Sequence, residues 1–75
     1  MMFVPYKDND GDSNVESYEI GADYIAVKFN GTAKIYTYSY RKAGVTNVEI
    51  MKRLAVSGDG LNAFINTNCK YLYDR

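Results

Sequence analysis

Hydrophobic and polar residues alternate in three stretches of the first half of the chain. These stretches are Val15 to Ile20, Tyr24 to Phe29 and Ala33 to Tyr40, and each is rich in β-branched or aromatic residues. Alternation of this kind is typical of β-strands with one buried face. Asn30-Gly31, between the second and third stretches, is a strong hairpin signal. The pattern therefore predicts an antiparallel meander of three strands.

The Asn30-Gly31 turn also predicts the strand register. A two-residue loop would pair Ile25 with Tyr36 and Val27 with Lys34. Since a short chain needs nearly all of its large apolar side chains for a core, we expect Tyr36 and Tyr38 to be core residues. The alternative is an exposed aromatic platform on which unpaired bases stack. The predicted inner face carries Ile25, Val27, Phe29, Tyr36 and Tyr38.

A helical period begins after the third strand. Thr46-Asn47-Val48-Glu49 has the pattern of a capping box, in which the Thr46 and Glu49 side chains accept bonds from backbone N–H groups. The apolar spacing that follows predicts a helix from about Asn47 to Val56, stopped at Gly58. Asp59 is expected to cap a second, shorter helix.

These elements predict an α+β fold in which a three-stranded antiparallel meander has two helices packed on one face. Residues 1–12 are expected to be a loosely ordered acidic arm, and residues 13–75 the folded domain. Asp8, Asp10 and Asp12 fall at the first, third and fifth positions of a calcium loop. Ser13 stands where that loop requires glycine, so calcium binding is the less favoured alternative and we expect no cofactor.

Composition narrows the class of protein. The 75 residues include no His, and Cys69 is the sole cysteine, so the chain forms no internal disulfide. Without a histidine base, a glycine-rich phosphate loop or paired carboxylates, an enzyme is not expected. No apolar run approaches the length of a membrane span, and no basic stretch precedes one. We therefore expect a cytoplasmic protein without a membrane partner.

Charge is unevenly distributed although the total is zero. Residues 1–30 hold two lysines and six acidic residues, whereas residues 31–75 hold seven basic and three acidic residues. The basic half suggests a nucleic-acid-binding surface, with RNA as the expected partner. An ordinary solvated surface is the alternative reading of these charges. The candidate binding residues are Tyr40, Arg41, Lys42, Lys52, Arg53 and Lys70.

A second hypothesis is a protein-interaction or self-associating module. It would use the exposed sheet face of Tyr24, Ala26 and Ile35, or the tyrosines of the tail. A three-stranded sheet has two open edges and a second face that is only partly polar. The sequence leaves the choice between the two hypotheses open.

Several short patterns resemble the KTSC domain family. They are Ser13-Asn14-Val15, Val27-x-Phe29-x-Gly31, Tyr36-x-Tyr38, the Val48 and Leu54 helix, Ser57-Gly58, Asn62 with Ile65, and Tyr71-x-Tyr73. The family is named from a C-terminal domain of some lysyl-tRNA synthetases and also occurs as small standalone bacterial and phage proteins. The resemblance covers residues 13–75 and implies the fold. The activity of the family is unestablished, with RNA binding only a suggestion.

Overall fold

A computed structural model describes residues 3–7 and 14–74 of the chain. It has four antiparallel strands in the order β1-β2-β3-β4 and helices that follow them, so the predicted α+β class is confirmed. The predicted number of strands is wrong, because a short strand precedes the predicted three. The strands are β1 (Val4–Pro5), β2 (Val15–Ile20), β3 (Tyr24–Phe29) and β4 (Ile35–Ser39).

The additional strand β1 connects the start of the chain to the core. Val4 pairs with Tyr18, and Tyr6 is buried just beyond the strand. The Tyr6 hydroxyl accepts a hydrogen bond from the backbone N–H of Leu61 at 3.3 Å. The predicted arm boundary at residue 12 and the calcium alternative at Asp8, Asp10 and Asp12 fall outside the described residues.

The β3–β4 register differs from the prediction by two residues. Ile25 pairs with Tyr38 and Val27 with Tyr36. The connection is longer than a two-residue turn, because the Thr32 hydroxyl accepts the backbone N–H of Lys34 at 3.1 Å and delays the start of β4. Since side chains alternate with a period of two, a shift of two residues leaves every residue on its predicted face.

The first two helices follow β4 directly. α1 (Tyr40–Ala43) is capped by the Ser39 hydroxyl, which accepts the N–H of Lys42, so β4 ends before Tyr40 rather than including it. α2 (Val45–Ser57) begins at the Gly44 cap without a side-chain bond. The predicted capping box is therefore wrong, and Thr46 lies inside the helix. Gly58 ends α2 in the left-handed conformation, as predicted, at a φ of 78° where glycine is favoured.

The last helical segment changes its winding. α3 (Leu61–Phe64) has Gly60 at its N-cap position and no side-chain cap, so the predicted cap by Asp59 is wrong. It continues into a π-helical turn (Ile65–Cys69), a rare form that often occurs at functional sites. The helical segment therefore ends at Cys69, and the tail begins at Lys70.

The core lies between the sheet and the helices. Ile25, Val27 and Tyr38 are at most 1% exposed, which confirms the predicted core role of Tyr38. Tyr36 is only half-buried against this cluster. Cys69 is a buried free thiol, and burial raises its pKa. Val48, Met51, Ala55, Leu61 and Ile65 complete the helical side of the core.

Tyr6→Phe should lower the free energy of unfolding by about 1–3 kcal/mol, because the buried Leu61 N–H loses its acceptor. Urea denaturation measures the change. Tyr71→Phe, which removes the hydroxyl of an exposed ring, is the matched control and should leave stability nearly unchanged. Equal stabilities for both variants would contradict the docking of β1 against α3.

Candidate functional site

The predicted basic residues do not all lie in one place. Arg41 and Lys42 are exposed on α1 and line an open hollow of about 390 Å³ with Ser39 and Asp74. Neither cation forms an ion pair with another residue of 3–7 or 14–74. They therefore remain available to an anionic partner.

Tyr40, Glu49 and Lys52 form a network where α1 meets α2. The Tyr40 hydroxyl donates to Glu49 Oε2, and Lys52 Nζ lies 2.9 Å from the same oxygen. Lys52 also lies 5.3 Å from the centre of the Tyr40 ring and donates to the carbonyl of Ala22 at 3.1 Å. With its side chain only 14% exposed, Lys52 has its charge largely committed within the fold.

The network shifts the pKa values of its members. The Tyr40 and Lys52 hydrogen bonds lower the pKa of Glu49, and the bond to Glu49 raises the pKa of Tyr40. Burial disfavours the charged form of Lys52, but its bond to Glu49 produces a net rise in pKa. Arg53 stays exposed, and its charge adds to the lowering at Glu49.

Lys70, the last of the candidate binding residues predicted from the sequence, lies in a different part of the structure. It lines an open cavity of about 410 Å³ between the β3–β4 connection, the helical segment and the tail. We call this cavity the aromatic groove. Its aromatic residues are Phe29, Tyr36, Tyr38, Tyr71 and Tyr73, and its polar residues include Asn14, Asn30, Asn62 and Asn66.

The rings of the groove contact one another edge to face. The ring centre of Tyr73 lies 4.7 Å from that of Tyr36 and 6.4 Å from that of Tyr38. The ring centres of Phe29 and Tyr36 are 5.5 Å apart. Such contacts are the favoured arrangement of aromatic pairs and hold the rings in position. Burial raises the pKa of Tyr38 above its ordinary value, so its hydroxyl stays protonated.

Backbone and side-chain bonds hold the tail beside β4. The N–H of Asp74 donates to the carbonyl of Thr37 at 2.7 Å, and the Ser39 hydroxyl donates to the Asp74 carboxylate at 2.8 Å. These bonds position Tyr73 against the strand. The groove therefore depends on a contact between segments far apart in sequence.

Two lysines give the groove a positive character. Lys34 Nζ lies 5.0 Å from the Tyr36 ring centre and 5.6 Å from that of Tyr73, while Lys70 Nζ lies 5.6 Å from the Tyr71 ring centre. None of the described residues that line the groove carries a carboxylate. Its charge therefore favours an anionic ligand.

The asparagines supply unused hydrogen-bonding groups. Within the described part of the chain, the side-chain amides of Asn14, Asn30, Asn62 and Asn66 have no hydrogen-bond partner. Each amide presents both a donor and an acceptor. The groove thus combines aromatic surfaces, positive charge and free polar groups, as small-ligand sites do.

The exposed sheet face predicted for protein contacts is only partly exposed. Ile35 is 43% exposed, but Ala26 is buried, so its predicted exposure is wrong. Tyr24 is half-buried and donates its hydroxyl hydrogen to Glu19 at 3.0 Å. At 2% exposure, Ala26 offers almost no surface to a partner.

Sequence reasoning identified Lys70 as a binding residue but missed most of the groove. The spacing of Asn62 and Asn66 by four residues, with apolar Ile65 beside them, is a helical signal that would have placed both on one side. Lys34 stands two residues before Tyr36, on the same strand face. These signals were local, whereas the meeting of the tail with β4 was not.

Comparisons of the chain with protein-family models, curated proteins and solved structures return no match. The resemblance to the KTSC family therefore stays a prediction. In residues 3–7 and 14–74, no cluster of three or more His, Cys, Asp or Glu could hold a metal ion. No helix of this described portion has the length and apolar character to cross a membrane.

Tyr40→Phe should raise the pKa of the Glu49 carboxyl toward its ordinary value of 4.5, because the largest cause of the lowering is the bond from Tyr40. With a lowered pKa in the fold, Glu49 contributes stability above pH 4.5 that is lost as the pH falls through its folded pKa. Carboxyl NMR titration measures the midpoint. Tyr71→Phe is the control, and equal midpoints in all three proteins would contradict the network.

Proposed function

We propose that the chain is a non-enzymatic module that binds single-stranded RNA in the aromatic groove. The observation that carries the proposal is the meeting of tyrosine rings and asparagine amides around one open cavity, with Lys34 and Lys70 beside the rings. Single-stranded nucleic acid offers three matching groups, namely flat bases, phosphates and polar base edges.

Base stacking is supported by the exposure of the rings at the mouth of the groove. Tyr71 is 67% exposed, and Tyr36 and Tyr73 are half-buried. Stacking on such side chains contributes about 1–3 kcal/mol per base. Tyr38, in contrast, is enclosed in the core and can only support the rings above it.

The positions of the cations support contacts with a phosphate backbone. Lys34 immediately precedes β4 and Arg41 follows it after Tyr40, so the two residues lie at opposite ends of a five-residue strand roughly 17 Å long. Lys34 and Lys70 lie at the groove, and Arg41 and Lys42 lie on α1. An RNA strand with one base bound in the groove can extend along β4 toward α1.

Polar groups favour RNA over DNA. The 2′-hydroxyl both donates and accepts hydrogen bonds, and an asparagine amide can satisfy either requirement. Four such amides line the groove and have no partner among the residues that the structure describes. The same proposal agrees with the RNA binding suggested for the KTSC family, and both remain to be tested together.

Lys34→Gln/Lys70→Gln should weaken binding to short single-stranded RNA and flatten its salt dependence. The slope of log K against log salt should fall by about 1.4, because two phosphate contacts are lost at about 0.7 each. Fluorescence anisotropy at several salt concentrations measures both effects. RNA binding that is absent from the unsubstituted protein at low salt would refute the proposal.

The matched control is Lys7→Gln/Arg53→Gln, which removes two exposed charges outside the groove. It should retain most of the affinity and nearly all of the salt slope. Equal weakening in the control and groove variants would instead favour the wider basic surface of Tyr40, Arg41, Lys42, Lys52, Arg53 and Lys70 predicted from sequence.

A second candidate function is self-association through the outer face of the sheet. Phe3, Pro5, Ala33 and Ile35 line an open hollow of about 570 Å³ there. Lys28 and Glu16 also line the hollow and pair with each other at 3.2 Å. Because this pair leaves the hollow electrically neutral, an identical face of a second copy is a fitting occupant.

Ile35→Lys should abolish this self-association, because two copies would bring like charges together in an apolar contact. Light scattering over a wide range of protein concentrations measures the average mass. Val56→Lys, which alters an exposed residue of α2, is the control and should not change it. A monomeric unsubstituted protein at the highest concentration would remove this candidate.

A further inference from the structure

The helical wall of the aromatic groove contains two asparagines with a shared orientation. Asn62 belongs to α3 and Asn66 to the π-helical turn that continues it. Both side chains line the groove, and Ile65 beside them is 2% exposed and belongs to the core. The helix is therefore anchored by its apolar side while it presents two amides to the cavity.

These amides differ from two other asparagine amides of the helical region. Asn68 donates to the carbonyl of Phe64 at 3.3 Å, and Asn47 donates to the carbonyl of Ala43 at 2.9 Å. Asn68 thereby satisfies a backbone carbonyl of its own helical segment, and Asn47 of α2 satisfies one of α1. Asn62 and Asn66 make no such bond within the described residues, so their donors and acceptors are available to a ligand.

We propose that Asn62 and Asn66 form a subsite that reads the edges of one unpaired adenine base. The inference rests on the proposed binding of single-stranded RNA and names the base that the groove prefers. Rings of the sheet and tail would contact the face of the base, and the two amides would contact its polar perimeter.

Adenine follows from the arrangement of donors and acceptors on each amide. An asparagine side chain presents one donor beside one acceptor, which matches the N6 amino group and N7 of adenine. The N6 amino group and N1 repeat the same pattern on the Watson–Crick edge. One adenine can therefore satisfy two amides at once.

On the two edges that adenine uses, Hoogsteen and Watson–Crick, the other bases offer a poorer match to two amides. Guanine presents two acceptors, O6 and N7, on its Hoogsteen edge, so an amide there can use only its donor. The corresponding edge of cytosine or uracil carries no ring nitrogen acceptor. A second amide would remain partly unpaired with either pyrimidine, which costs binding free energy.

The test compares oligo(A), oligo(U) and oligo(C) strands of equal length by fluorescence anisotropy. Oligo(A) should bind the unsubstituted protein about 5- to 150-fold more tightly than the others, the range expected for one bidentate amide contact. Asn62→Ala and Asn66→Ala should each reduce this preference and leave the affinity for oligo(U) nearly unchanged.

Asn68→Ala is the matched control, because its amide lies in the same helical segment but bonds to Phe64. It should keep the preference for oligo(A). Urea denaturation of each variant separates a loss of base reading from a loss of folding. Equal affinity of the unsubstituted protein for all three strands overturns the adenine inference and leaves RNA binding standing, whereas binding to none overturns both.

A uniform loss also overturns the inference. If Asn62→Ala and Asn66→Ala are folded and weaken all three strands by the same factor, the amides contact the sugar-phosphate backbone rather than a base. The RNA-binding proposal would remain, with the asparagines assigned to positioning.

Discussion

The pairing of β3 with β4 is the constraint on which the rest of the structure depends. Ile25 faces Tyr38 and Val27 faces Tyr36 across two strands, and both aliphatic side chains are entirely buried. A chain of this length has little other apolar surface to bury. Helix α2 covers the middle of this face, and Tyr36 at its margin is left half-buried. The edge of the core is thereby also the floor of the groove.

Positive charge is divided between structural and accessible roles. Lys52 pairs with Glu49 and lies over Tyr40, so one of the predicted binding cations stabilises the contact between α1 and α2. Lys34 and Lys70 instead lie beside tyrosine rings that border an open cavity. A lysine has a structural role where it lies close to an acidic residue. The number of basic residues in the sequence does not distinguish the two roles.

Local patterns predicted the faces of the strands more successfully than their register or their caps. The faces of Ile25 and Tyr38 were correct because a shift of two residues preserves alternation. The register failed because Thr32 extends a connection that Asn30-Gly31 alone would close. The capping box failed because the Glu49 carboxylate bonds to side chains of α1 and α2. A four-residue sequence pattern does not reveal hydrogen-bond partners that lie outside it.

For the same reason, most of the groove could not be predicted from local sequence patterns. Tyr73 reaches Tyr36 only because Asp74 bonds to Thr37, a contact across more than thirty positions. Lys70 was predicted from its charge alone, and Asn14, which lines the same cavity, immediately precedes β2. Residues of three separate segments therefore define the site.

The π-helical turn at Ile65–Cys69 determines the rotational position, around the helix axis, of the residues that follow it. Such a turn holds one residue more than an α-helical turn, and one residue corresponds to about 100° of rotation around the axis. Loss of a single residue there would restore ordinary winding and swing the tail to a different side of the molecule. Length variation in this short segment would thus be tolerated far less than in an exposed loop, even where every remaining side chain is unchanged.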